Sequence, residues 1–274
     1  MTRGHGRVGD APPAPEPLPA PAFDSHCHLD LMDVPVEQAL EQARAVGIEA
    51  VVQVGVDLPS SRWSAEAAAQ HDDVWAAVAL HPNEAGGGAA TDEALREIEA
   101  LAALPQVRAV GETGLDHYRT GPEGHRAQEE SFRAHIAIAK RTGTALVIHD
   151  RDAHDDVLRV LEDEGAPEHV VFHCFSGDAV MARHCADRGW VMSFAGPVTF
   201  KTNDPLREAA ALAPRELLLV ETDAPFLTPV PYRGRPNAPY LVPLTLRALA
   251  EVRGDDLAEL CDAVRATGRR VFGM

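Results

Sequence analysis

Ala22-Phe23-Asp24-Ser25-His26-Cys27-His28 is a short, largely apolar run that ends on two imidazoles, and the chain repeats that design. Val107 to Gly111 runs into Glu112, Ala145-Leu146-Val147-Ile148 ends at His149, and Val170-Val171-Phe172 ends at His173. Leu217 to Val220 meets Glu221-Thr222-Asp223, and Val74 to Leu80 meets His81. With two further runs, the strand candidates lie near 22–26, 49–55, 74–80, 107–111, 145–149, 169–173, 190–194 and 217–221. Helical patterns near 35–46, 60–71, 91–103, 125–142, 152–164, 177–188 and 203–212 alternate with them, and 241–252 and 255–270 close the chain. The strand runs are nearly continuously apolar, as parallel strands buried on both faces must be. Strict alternation predicts right-handed βα crossovers. Eight such units in 274 residues predict an α/β protein, a (β/α)8 TIM barrel, whose usual size is about 250 residues. The alternative, an open doubly wound sheet, lacks its G-x-G-x-x-G after the first strand.

Composition narrows the class. A 45% hydrophobic and 24% charged chain is an ordinary globular one, long enough to bury a core without staples. Cys27, Cys174, Cys185 and Cys261 show no C-x-x-C spacing and read as reduced thiols of a cytoplasmic protein. Strand alternation turns Cys27 and Cys174 away from their histidine neighbours. A net charge of -17 argues against a broad basic face that coats nucleic acid, but leaves room for one phosphate at a metal site. No apolar stretch approaches the roughly 18 residues of a membrane span, and the N-terminus has no secretory h-region. Residues 1–22, with Pro12, Pro13, Pro15, Pro17, Pro19 and Pro21, are expected to be a disordered, partly polyproline-like tail before a barrel domain at 23–274. Gly86-Gly87-Gly88 is expected to be a flexible loop, since no Gly-Lys-Ser/Thr follows it. Thr91 and Ser176 fall where helices should start. No stable protein partner is inferred.

Chemistry in such barrels sits at the C-terminal strand ends. The candidates there are His26 and His28, Glu112, His149, His173 and Asp223. Alternation puts both imidazoles of His26-x-His28 on one side of an extended backbone. Four histidines and two carboxylates exceed one four-coordinate site and suit two divalent ions, Mg, Mn or Zn. Glu112, midway round the ring with two oxygens, is the natural bridge. Taken singly, a histidine at a strand end is more often structural than a ligand, and Asp223 before Ala224-Pro225 reads as a turn residue. Their recurrence at successive strand ends is what supports a joint site. His81 lies on the same rim, and Arg151, Lys201, Arg233 and Arg235 lie on rim loops, where they are candidates to bind substrate. Asp116 and Asp150 are candidates to orient neighbouring imidazoles. His71, His117, His125, His135, His154, His169 and His184 read as surface or structural.

Five segments, in order, carry a family resemblance: Phe23-Asp24-Ser25-His26-Cys27-His28-Leu29, Val110-Gly111-Glu112-Thr113-Gly114-Leu115-Asp116, Val147-Ile148-His149-Asp150-Arg151-Asp152-Ala153, His173-Cys174-Phe175-Ser176-Gly177, and Glu221-Thr222-Asp223-Ala224-Pro225-Phe226-Leu227, continuing through Pro231-Tyr232-Arg233-Gly234-Arg235 to Asn237. Together they resemble the TatD family of metal-dependent deoxyribonucleases, within the amidohydrolase-like barrels. The resemblance implies a metal-dependent hydrolase barrel with a divalent pair at its mouth. It also implies cleavage of DNA phosphodiester bonds, often 3′–5′ on single strands. Carried over, His26, His28, Glu112, His149, His173 and Asp223 are the implied ligands, with Glu112 and Asp223 the expected catalytic carboxylates. A hydrolase of esters or amides, including aminoacyl esters on tRNA, uses the same barrel. A non-catalytic metal-binding scaffold with a docking tail is the alternative from another class.

Overall fold

The computed structural model describes residues 9–273. Eight parallel strands form one sheet in sequence order: β1 (Ala22–Cys27), β2 (Ile48–Val54), β3 (Val74–Val78), β4 (Val107–Asp116), β5 (Ala145–Arg151), β6 (Val170–Phe172), β7 (Val191–Phe194) and β8 (Leu218–Val220). The sheet curls until β8 meets β1. There the Asp223 N–H donates to His26 O (2.9 Å) and the His28 N–H to Ala224 O (2.7 Å). The barrel is thus sealed at the C-terminal end of its strands by the same residues that end them.

The helices are α1 (Val36–Ala45), α2 (Leu58–Gln70), α3 (Pro82–Gly86), α4 (Asp92–Ala102), α5 (Pro122–Thr142), α6 (His154–Glu164), α7 (Ala179–Asp187), α8 (Asp204–Leu212), α9 (Val242–Arg253) and α10 (Leu257–Phe272). Each buries one stripe against the strands. In α4 the stripe is Ala94, Ile98 and Ala102, four residues apart, and in α6 it is Val157, Val160 and Leu161. Thr91 caps α4 as its position predicts, its hydroxyl accepting the Ala94 N–H (3.2 Å). Ser176 does not cap α7. Asp178 does, accepting from Val180 N and Met181 N, while the Ser176 hydroxyl donates to Asp150 O.

Three features differ from the sequence reading. Strand β4 runs on through Glu112 to Asp116, pairing Gly114 with His149 and Asp116 with Arg151 after a register shift between Val110 and Thr113. The expected glycine loop begins as helix α3, started by Pro82 and by the His81 ring accepting the Asn83 N–H. The Pro-rich segment is also not a solvated tail over residues 9–21. Leu18 is buried in the core and its N–H donates to Val46 O (3.0 Å). The Tyr240 hydroxyl donates to Pro12 O (2.7 Å), and Arg247 donates to Glu16 O and Pro17 O. A proline run has preset backbone angles and loses little entropy on docking, and its free carbonyls here meet donors on the barrel. Residues 1–8 lie outside the described residues.

Candidate metal centre

Glu112 is the hub. It is buried at the end of the apolar half of β4, and its two carboxylate oxygens face different histidines. Oε2 lies 3.5 Å from His26 Nε2. Oε1 lies 2.5 Å from His149 Nδ1, 3.0 Å from His173 Nε2 and 3.4 Å from His81 Nε2. Asp223 gathers the other side, its Oδ1 3.5 Å from His28 Nε2 and 3.8 Å from His26 Nε2. The strand alternation expected for His26-x-His28 therefore holds, with both rings turned to one carboxylate. His26 and His173 stack face to face at 3.8 Å between centroids, so the two halves adjoin.

The second nitrogen of most of these rings is anchored. His28 Nδ1 lies 3.0 Å from Val54 O, His149 Nε2 3.2 Å from Asp116 Oδ2, and His173 Nδ1 2.8 Å from Glu221 Oε1. Such contacts fix ring orientation and are what metal-bound imidazoles use. Asp116 plays the orienting part its position suggested. Asp150 orients a different histidine, His154 on α6, at 2.7 Å. Glu221, the residue after β8, is a partner that the strand-end pattern does not mark. Its signal was that a buried His173 requires an acceptor. Asp24 is another that the pattern does not mark. It accepts from Thr222 N (2.9 Å), from the Thr222 hydroxyl and from His26 N (3.3 Å), tying the ends of β1 and β8 together. Burial pushes its carboxyl up to about 8 against the pull of those bonds. Asn237 holds the following loop, its amide donating to Thr222 O and Phe226 O.

The donor set fits divalent cations. His26 is fully buried, yet neither ring nitrogen has a hydrogen-bond partner among the described residues, and Glu221 Oε2 has none either. Buried imidazole nitrogens without partners are costly unless something fills the gap between them and the facing carboxylates. Burial would raise the Glu112 pKa, but His173, His81 and His149 outweigh it and hold the carboxyl well below its usual range. Burial likewise opposes ionisation of Asp223, yet the bond from His28 and the nearby imidazoles keep its pKa low. His26 is held down by burial and by His173. Burial opposes charge on His28, His149 and His173, yet the facing carboxylates raise all three, so a bound cation would take the place of their protons. Asp223 has φ of +54° and Cys174, after His173, +41°. Non-glycine residues in this region mark sites where surrounding structure overrides local preference. The Cys27 thiol stands apart, its sulfur turned to Val52 O (3.6 Å).

The substrate-binding candidates separate. His81 is buried against Glu112 rather than on the open rim. Arg151 ends β5 two residues past His149, its guanidinium 4.1 Å over the Tyr118 ring. Arg233 lies 4.0 Å over Phe200 and Arg235 5.7 Å from the Tyr232 ring, while Lys201 is exposed beside Phe200.

A family model described as TatD-related DNase matches residues 23–273. The chain belongs to this TatD family. It is 50% identical over 260 residues to a metal-dependent hydrolase, TatD, of Mycobacterium tuberculosis, covering 92% of this chain and 97% of that one. It is 36% identical over 255 residues to the Escherichia coli metal-dependent hydrolase YcfH, covering 91% and 94%. Among solved structures, the Escherichia coli TatD homologue YJJV superposes with a TM-score of 0.85 at 26% identity, over 92% of this chain and 98% of that one. The TatD match begins at Phe23, so the docked Pro-rich segment lies outside it.

Proposed function

We propose that this TatD-family protein is a metal-dependent hydrolase of DNA phosphodiester bonds, a 3′–5′ exodeoxyribonuclease on single strands. One observation carries the reading: the oxygens of Glu112 are divided between two groups of imidazoles, His26 on one side and His149 with His173 on the other. His26, His28 and Asp223 would hold one divalent ion, and His149 and His173 the other, with Glu112 giving one oxygen to each. Such a pair, when bound, acidifies water and stabilises the charge that builds on a phosphoryl group. The mixed imidazole and carboxylate set suits Zn, Mn and, less well, Mg.

The chain's own groups complete the chemistry. Asp223 has 15% of its side chain exposed against 4% for Glu112, so it is the cluster carboxylate that substrate water can reach. It stays ionised and is the base that takes the proton from the attacking water. Glu112, enclosed by histidines, would help to hold both ions. Asp116 and Glu221 hold His149 and His173 in place, and Asp24 with Thr222 holds Asp223 against His26. The TatD relatives are metal-dependent hydrolases, which supports the hydrolase class, and the TatD-related DNase family supports DNA.

The test is nucleotide release from a 3′-labelled single-stranded DNA by metal-stripped protein with Mg, Mn or Zn restored. Metal-dependent release that is lost in His149→Ala is the expected result. No release with any metal, from folded protein, would refute the nuclease reading and move the substrate to an ester or amide.

A further inference from the structure

The mouth carries a feature that the hydrolytic centre does not use. On the barrel's outer helices, arginines are tied to carboxylates: Arg133 and Arg159 to Glu129, Arg141 to Glu99, Arg62 to Glu97. In a chain of net charge -17, such pairing is the expected fate of a cation. Arg151 departs from it. Among the described residues it forms no ion pair, and its guanidinium lies over the Tyr118 ring instead, 4.1 Å from the centroid. Tyr118 is 65% exposed. A guanidinium left uncommitted above a solvent-facing ring offers a charge and a π-face together.

Position gives the pair its meaning. Arg151 and His149 are two residues apart on β5, so their side chains share a face and Arg151 sits about 7 Å nearer the mouth. Tyr118 follows β4, and its N–H donates to Asp116 Oδ1 (3.1 Å) while Asp116 Oδ2 meets His149 (3.2 Å). The same carboxylate therefore fixes the ring's backbone and a proposed ligand. Leu31 after β1 and Val230 after β8 are also exposed on connections at this end of the barrel.

We infer that Tyr118 and Arg151 form a nucleotide clamp beside the metal centre: the Tyr118 ring stacks on an unpaired base, and the Arg151 guanidinium binds a phosphate next to the one cleaved. Stacking on an aromatic face tolerates any base and requires that it be unpaired, while guanidinium binds phosphate in a forked geometry. The clamp selects single strands without reading sequence. It rests on the nuclease reading and deepens it.

The test is the KM and kcat of metal-loaded protein on single strands, ordinary or carrying one abasic nucleotide at successive positions from the 3′ end. Tyr118→Ala raises KM on the ordinary strand about tenfold, the scale of one lost base–aromatic stack, with the larger effect in KM than in kcat. At one abasic position the wild type loses the same factor and Tyr118→Ala loses nothing more. Tyr118→Phe, which keeps the ring, stays within about twofold. Arg151→Gln flattens the dependence of log KM on log salt by about 0.7, the slope of one single-strand phosphate contact. Unchanged KM in Tyr118→Ala, with cleavage still metal-dependent, overturns the clamp and leaves the nuclease reading intact. A folded, metal-loaded wild type that neither binds nor cleaves any strand overturns both.

Discussion

At the scale of single residues, three of the four proposed ligand imidazoles, His28, His149 and His173, are each held by a group that fixes the ring. Glu221 accepts from the His173 ring (2.8 Å) and from the Cys174 N–H (2.9 Å), so one buried carboxylate sets both the ring and the backbone behind it. Glu221→Ala should leave the barrel folded but weaken metal binding about 10- to 100-fold, read by competition titration with a chelating dye. Unchanged affinity would show that His173 needs no orienting partner. Gly114 has φ of +134°, and a Cβ there would lie 2.1 Å from His149 O. Gly114→Ala must push the strand carrying His149 aside, and a shift near 1 Å costs on the order of 100-fold in kcat. Near-normal turnover of folded Gly114→Ala would contradict that. The ring of ligand candidates was legible because strand ends and period-two alternation are local properties of sequence. Glu221 and Asp24 were not, because their value lies in partners 48 and 198 residues away.

At the scale of elements, α5 braces the site through His135. Its Nε2 accepts the Leu80 N–H (3.2 Å) and its Nδ1 donates to Ser131 O (2.8 Å), which fixes the chain just before His81. Burial lowers the His135 pKa from 6.5 to about 4. Below pH 6.5 the unfolded chain gains a proton that the folded one refuses. Stability from this group is thus complete above pH 6.5 and declines as pH falls toward 4, by up to about 3 kcal/mol. His135→Gln should remove that component, so the stability difference between wild type and variant, from urea unfolding, shrinks between pH 7.5 and 4.5. A constant difference would place the pH dependence elsewhere. The eight strands and most helices were readable from apolar runs and helical stripes. Helix α3 was not, because Gly86-Gly87-Gly88 argues against helix while its start depends on the His81 ring. Nor was the run of β4 past Gly111 readable, since Gly114 is a poor strand former and is required there by closeness to β5.

At the scale of the whole molecule, the segment over residues 9–21 is part of the barrel's exterior. Its prolines signalled a solvated tail because their composition carries no core pattern, while its donors, Tyr240 and Arg247, lie more than two hundred residues on. Leu18→Ala removes a buried side chain at the foot of β2 and should cost about 2 kcal/mol, or roughly 4–8 °C in Tm. A Tm within 1 °C of wild type would mean that the segment does not pack in solution. Acidity acts at this scale too, for a net charge of -17 opposes the approach of a polyanion, and the proposed metal ions would offset it at the mouth. The proposed metal pair, shared through Glu112, is tested most directly by stoichiometry. Chelator-stripped protein titrated with Zn or Mn, with bound metal measured by elemental analysis, should take up two ions per chain. Glu112→Gln should take up one or none and lose nucleotide release with it. One ion per wild-type chain, or two in Glu112→Gln with activity intact, would contradict the account.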